Sequence, residues 1–224
     1  MAGYYAEKLA AERLERVYAL ASPPVTRYLE GEIRFVASRL RPQEALLELG
    51  CGYGRVLAPL QPRPGTTWGI DSSRASIGAA RRHLHGRGQI ALAVMDAVAL
   101  AFPSGCFDLV ACVQNGISAF GVDRQQLVRE ALRVTRPGGR ALFSSYADHF
   151  WPERLAWFRA QAAAGLIGPI DEAATRRGTI VCRDGFRATT VSPAEFRALG
   201  AALGLEPHLQ EVCESSLCCE FRKE

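Results

Sequence analysis

The sequence predicts an α/β fold: a doubly wound, mostly parallel sheet with helices on both faces. Three observations carry this. From residue 45 onward, short apolar runs alternate with segments of helical periodicity. The connections between them are short, as expected where helices cross over between parallel strands. The 224 residues are 48% hydrophobic, enough for one well-filled core with a small appended element.

The elements follow in order. Residues 3–21 read as a helix, with Ala10, Leu14, Val17, Tyr18 and Ala21 at helical spacing. Ser22 and Pro23 stop it and open a second helix. That helix carries Leu29, Ile33, Val36 and Leu40 as its apolar stripe, and Arg41-Pro42 ends it. Residues 1–42 thus form an N-terminal helical cap. The first strand is expected at 45–49, with a helix beginning over Gly54 to Leu60. A second strand follows at 66–71, then a helix with Ile77, Ala80 and Leu84 on one face. Further strands are expected at 90–96, 106–113 and 140–146. Asp123 caps a helix whose Leu127, Val128, Ala131 and Leu132 face inward, and Arg136-Pro137-Gly138-Gly139 breaks it. Residues 45–146 are the expected ligand-binding core.

Residues 147–191 read as an insertion. Trp151, Leu155, Phe158 and Ala162 mark a helix, and Arg183-Asp184-Gly185 signals a hairpin. Ser192-Pro193-Ala194-Glu195 is a capping box for a last helix that Gly204 closes. Two final strands, joined by a short turn, complete the 192–224 segment. There is no internal repeat, so a single domain is expected over 1–224.

Composition narrows the function. A net charge of +4 is modest, and the basic residues are scattered arginines, with Lys8 and Lys223 the two lysines. The charge does not call for a nucleic-acid partner, and none is expected, since such domains cluster their basic residues. The seven cysteines match no zinc ribbon or disulfide framework, and no metal site is expected. Small buried thiols in a reducing compartment fit better. His83 and His85 sit at a helix end and suit its dipole rather than a metal. No charged-then-apolar leader and no apolar run of membrane-spanning length are present, so a soluble cytoplasmic protein is expected.

The stretch LLELGCGYGR, residues 46–55, carries the chemistry. In an open parallel sheet a ligand sits at the carboxyl ends of the strands, where this loop lies. Its glycines run G-x-G-x-G at 50, 52 and 54. A dinucleotide fingerprint needs G-x-G-x-x-G, and Arg55 stands where its third glycine would be. Glu48, two residues before the loop, is out of place beside phosphates but suits a cationic ligand or loop N–H groups. A nucleoside carrying an amino-acid tail fits better than a dinucleotide.

ELGCGYGR resembles motif I of the class I S-adenosylmethionine-dependent methyltransferases. The resemblance extends to GID ending at Asp71, to VMDAVALAF with Asp96, to FPSGCFDLVACVQN, and to LRVTRPGGRALFSS. It implies a seven-stranded sheet in the order 3-2-1-4-5-7-6 with the last strand antiparallel. It also implies binding of S-adenosylmethionine and release of S-adenosylhomocysteine. By that resemblance Gly50, Cys51 and Gly52 lie against the methionine and ribose portions. Asp71, followed by Ser72, takes the ribose hydroxyls, its alternative being a helix N-cap before Ser72-Ser73. Asp96 takes the adenine amino group, with Ala97 beside the ring. Val113 and Gln114 lie near the methionine amine.

Several assignments stay open at this point. Glu48 either engages the methionine ammonium or structures the loop, and Arg55 either holds the methionine carboxylate or is solvated. Catalytic candidates near the strand ends are Asn115, Tyr146 and His149. A base is needed only if the acceptor starts protonated. Tyr4, Tyr5, Tyr18, Phe150, Trp151 and Phe186 are candidates for an aromatic wall around a small-molecule acceptor. A nucleic-acid or protein methyltransferase is an alternative, although the proline pair and tyrosine of base-modifying members are missing after the fourth strand. A non-catalytic binding scaffold is another. Relatives that methylate arsenic use thiolates, which draws attention to Cys182, Cys213, Cys218 and Cys219.

Overall fold

The computed structural model describes residue 4, residues 8–63 and residues 65–224. Tyr5 and the other residues of 5–7, and Gly3, fall outside, so the start of the first expected helix is not described. Among the described residues, α1 (Glu12–Ala19) and α2 (Pro23–Ser38) precede the sheet. The core runs β1 (Leu46–Leu49), β2 (Thr67–Asp71), α3 (Arg74–His83), β3 (Ile90–Val94), β4 (Phe107–Cys112), α4 (Gly116–Ala119), α5 (Arg124–Val134) and β5 (Thr135–Tyr146). The remainder is α6 (Trp151–Ala163), β6 (Thr179–Val181), β7 (Arg187–Thr189), α7 (Pro193–Leu203), β8 (His208–Val212) and β9 (Ser216–Arg222).

Seven strands form one sheet in the order β3-β2-β1-β4-β5-β9-β8. Counted along the sheet's own strands, this is the expected 3-2-1-4-5-7-6. All neighbours from β3 to β5 are parallel, and β9 is antiparallel to both β5 and β8. β6 and β7 pair separately, closed by the Arg183-Asp184-Gly185 turn.

Alternation along β1 divides the core. Leu47 and Leu49 face a cluster built with α5 and α7. Leu46 faces the opposite cluster, with Phe35 and Val36 of α2 and Ile77 and Ala80 of α3. All four β1 residues are buried, and each fully buried leucine stabilises the fold by about 2 kcal/mol. A third cluster joins the N-terminal helices to α6 and the β6–β7 hairpin through Tyr28, Tyr146, Trp157 and Phe158.

Local signals explain most boundaries. Asp123 accepts from Gln126 N at 2.7 Å, the Ser192–Glu195 capping box is complete, and Gly204 ends α7 in the left-handed conformation. Four expectations need correction. The first helix does not run unbroken to Ala21; Ala11 has φ 53 and α1 starts at Glu12. Gly54 to Leu60 is a set of turns ending in a single 3-10 turn, Ala58–Leu60, because Pro59 and Pro62 leave no room for an α-helix. Arg136–Gly139 belongs to β5, which follows α5 directly, with the ladder to β4 shifting register between Phe107 and Leu109. The buried face of α6 is Arg154, Trp157, Phe158 and Gln161, rotated from the stripe the sequence suggests.

Candidate functional site

The carboxyl ends of β1, β2, β3 and β4 open onto one cavity of about 420 Å³. The loop after β1 forms its floor. Gly50, Gly52 and Gly54 have φ of 71, 55 and 90, a region that L side chains rarely adopt. A Cβ on Gly50 would run into the Phe120 ring, and one on Gly52 would lie 2.8 Å from Leu14. The glycines therefore set both the turn and the depth of the cavity.

Asp71 ends β2 beside this loop. Its Oδ2 accepts from Gly52 N at 3.0 Å and its Oδ1 from Ser73 N at 2.8 Å. Each carboxylate oxygen can take a second hydrogen bond, so the group fixes the loop and still offers acceptors to the cavity. Ser73 caps α3, accepting from Ser76 N. The helix-capping residue is thus Ser73, and Asp71 is free of that task. Asp96 forms a turn with Val98 N at 3.0 Å; with Ser72 and the buried Ala97 it lines the same end of the cavity.

Beneath the glycine loop lies a buried ionic cluster. Glu48 is 4% exposed, and its Oε2 has no partner among the described residues. Burial pushes its carboxyl up to about 8, against the pull of Arg55 and with the push of Asp71. It does not bond the loop N–H groups, so the purely structural reading of Glu48 loses its support. Glu48 lines a small adjoining space of about 30 Å³ with Cys51, Arg55, Val113 and Gln114. The Cys51 thiol is also buried and held well above its usual range, first by burial.

Arg55 is not a solvated surface residue. It donates to Gln114 Oε1 at 2.9 Å and to Leu29 O at 3.3 Å, and lies over the Tyr18 ring at 4.9 Å. Tyr18 of α1 donates to the same Gln114 Oε1 at 2.6 Å. Gln114 and Asn115 both adopt φ near 60, so the chain turns sharply at the end of β4. Glu32 lies nearby, fully buried on α2, and accepts from Ser144 and Ser216 hydroxyls. The hydrophobicity pattern of α2 gave no hint of it.

The other half of the cavity is made of Leu14, Val17, Tyr146, Trp157, Phe158 and Gln161. Of the catalytic candidates, Asn115 and Tyr146 lie in it and His149 does not. His149 is exposed, facing Glu214 O at 2.8 Å on the β8–β9 turn and Glu211 at 3.3 Å near the end of β8. Its place in the 3-10 turn after β5 directs it away from the cavity, and it is withdrawn as a base. Asn115 starts α4 without a side-chain cap. Its Nδ2 donates to Thr189 O and its Oδ1 accepts from Ser145 Oγ, both at 2.8 Å. It is a tie between β4, β5 and the hairpin. The Tyr146 phenol is pushed up to about 12, chiefly by burial, and keeps its proton at neutral pH. Its ring stacks on Tyr28 at 4.8 Å and under the Arg154 guanidinium at 4.6 Å.

Of the aromatic residues expected around the acceptor, Tyr18 lines the cavity. Tyr4 and Phe186 pack on each other at 4.9 Å, and Phe150 on Tyr28 at 5.6 Å. Trp157, Phe120 and Gln161 were missed. The face 154, 157, 158, 161 has helical spacing but mixes charge and amide with rings, so apolarity alone passes over it.

α1 roofs both halves. Tyr18 reaches Gln114, Trp157 Nε1 donates to Val17 O at 3.1 Å, and Arg13 donates to Gly165 O and Leu166 O. Among the described residues no group of three His, Cys, Asp or Glu side chains could hold a metal ion, and no helix is long and apolar enough to cross a membrane.

S-adenosylmethionine fits this chemistry. The glycine cradle excludes side chains, Asp71 and Asp96 offer acceptors, and the orphaned Glu48 oxygen awaits a donor or a positive charge.

Comparison with known proteins agrees. Residues 46–139 match the model of a family described as a methyltransferase domain. An arsenite methyltransferase of Aquipseudomonas alcaligenes is 32% identical over 123 residues, 49% of this chain and 35% of that protein. The methyltransferase GfsG of Streptomyces halstedii is 33% identical over 99 residues, 42% of this chain and 35% of its own length. The chain thus spans about a third of the length of these two relatives. Among solved structures, magnesium protoporphyrin IX methyltransferase of Synechocystis with bound S-adenosylhomocysteine shares the fold. Its TM-score is 0.63 at 16% identity, over 99% of this chain and 96% of that one.

Proposed function

We propose that this chain, which carries a class I S-adenosylmethionine-dependent methyltransferase domain, transfers a methyl group to a small, largely apolar molecule held beneath α1 and α6. One observation supports this most: a single cavity joins the Gly50–Asp71–Asp96 end to the Tyr146–Trp157–Phe158 end without interruption. Bound at the first end, S-adenosylmethionine supplies a methyl group already activated by its sulfonium charge. The work left to the chain is orientation and exclusion of water.

Asp71 would hold the ribose hydroxyls and Asp96 the adenine amino group, beside Ala97. Gly50, Cys51 and Gly52 would lie along the ligand, with Ser72 at the ribose edge. Glu48 would face the methionine ammonium, and Val113 and Gln114 would flank it. Arg55 would complement the methionine carboxylate through the Gln114 network. No imidazole among the described residues faces the acceptor half, and Tyr146 stays protonated. An acceptor whose reacting atom is already unprotonated, or only weakly holds its proton, suits such a cavity.

The roof formed by α1 suits a small molecule better than a nucleic acid or protein chain. Arsenite, the substrate in the name of one relative, has little support. Cys182 is buried in the hairpin with its thiol pushed up to about 11, first by burial. Cys213 is exposed at a turn, and Cys218 and Cys219 point to opposite faces of β9.

Calorimetry with S-adenosylhomocysteine tests the donor half. A micromolar dissociation constant, about 8 kcal/mol, is expected. No heat at millimolar ligand would sink the reading. Transfer of isotopically labelled methyl to a panel of small ring and chain compounds tests the acceptor half. Labelling confined to RNA or protein substrates would overturn the small-molecule assignment.

A further inference from the structure

The polar groups around the acceptor half are mostly committed. Trp157 Nε1 is bonded to Val17 O, Tyr18 to Gln114, and both ends of the Asn115 amide to Thr189 and Ser145. Gln161 differs. It sits one helical turn beyond Trp157 on the buried face of α6, is 2% exposed and lines the cavity. Its Nε2 has no hydrogen-bond partner among the described residues. A buried amide left unmatched is costly to keep, and a leucine of similar size would fill the same space without that cost.

We propose that Gln161 recognises the methyl acceptor, and that the acceptor is a planar ring compound bearing a hydroxyl group. This rests on the methyl-transfer reading above. The Trp157 and Phe158 rings of α6 give this half apolar walls suited to packing against another ring. An amide donates from one end and accepts at the other, and rotation about its terminal bond exchanges the two. A hydroxyl both donates and accepts, so it can pair with whichever end of the Gln161 amide is turned to the cavity. The role assigned is recognition, and which ring atom receives the methyl group is a separate matter.

The test uses 1-naphthol and 1-methylnaphthalene as a matched pair, with calorimetry on the full chain saturated with S-adenosylhomocysteine. The native protein is expected to bind the naphthol about tenfold more tightly. Gln161→Leu should erase that preference while leaving S-adenosylhomocysteine affinity unchanged, and should raise Tm by a few degrees, roughly the gain from removing an unmatched buried amide. Gln161→Met serves as a second variant if leucine impairs folding. Equal binding of the two probes to the native protein overturns the proposal. So does a preference that survives in the variants. Failure of S-adenosylhomocysteine itself to bind would instead strike the proposed function; the naphthol preference would then be read on the ligand-free protein.

Discussion

The two halves of the cavity are built by different means. The donor half is local: strand ends, three left-handed glycines, and a carboxylate bonding backbone N–H groups within 19 residues of itself. The acceptor half is assembled from distant pieces. Tyr18 meets Gln114 across 96 positions, Trp157 meets Val17 across 140, and Asn115 meets Thr189 across 74. A motif can encode the first kind of site, because its residues are fixed relative to one another by a single turn. The second kind exists only once the sheet has brought its parts together.

This contrast can be broken by mutation. Asp71→Ala removes two backbone hydrogen bonds from the loop together with the proposed ribose acceptors. S-adenosylhomocysteine affinity should fall by about a hundredfold or more by calorimetry. A loss under threefold would mean the donor half is not organised around this residue.

Glu48 sharpens the contrast through pH. Its folded-state pKa of about 8 lies above the ordinary glutamate value of 4.5. Between those values the unfolded chain has released the proton and the native chain still holds it. Stability should therefore fall as pH rises from about 4.5 to about 8, with a slope of up to about 1.4 kcal/mol per pH unit. Chemical denaturation at pH 5 and pH 8 measures this, and Glu48→Gln should flatten it. An unchanged slope in the variant would assign the effect elsewhere.

On the acceptor side, Asn115→Ala cuts the tie between β4, β5 and the hairpin. A stability loss of about 1–3 kcal/mol is expected, with S-adenosylhomocysteine affinity nearly intact. A larger effect on affinity than on stability would join the two halves more closely than their geometry suggests. The smallest effect belongs to His149→Ala. Methyl transfer and stability should change little, within about 0.5 kcal/mol, because the ring lies outside the cavity. A tenfold loss of transfer would return it to the mechanism.

How far the sequence could be read follows the same division. The strand order, the glycine loop and the placing of Asp71 and Asp96 on the cavity were legible because spacing and turn chemistry are local. Glu32 and Gln161 were not, since a polar residue on a helix is ordinarily expected to face water. His149 was misplaced for the opposite reason: closeness in sequence to the end of β5 says nothing about which side of the turn a ring takes. The early helix expected after the loop failed because the prolines at 59 and 62 outweighed the apolar run Val56-Leu57-Ala58 before them.

The tie from Val191 N to Ser145 Oγ, at 2.8 Å, brings the far end of the 147–191 segment back beside the point where it leaves β5. The segment departs and returns through one narrow doorway, like a cartridge seated in a fixed socket. Its length and contents can change so long as this doorway and the Asn115–Thr189 tie are kept. Retargeting such a protein to a new acceptor would therefore begin by exchanging that cartridge as a unit, with the glycine loop and its carboxylates left alone.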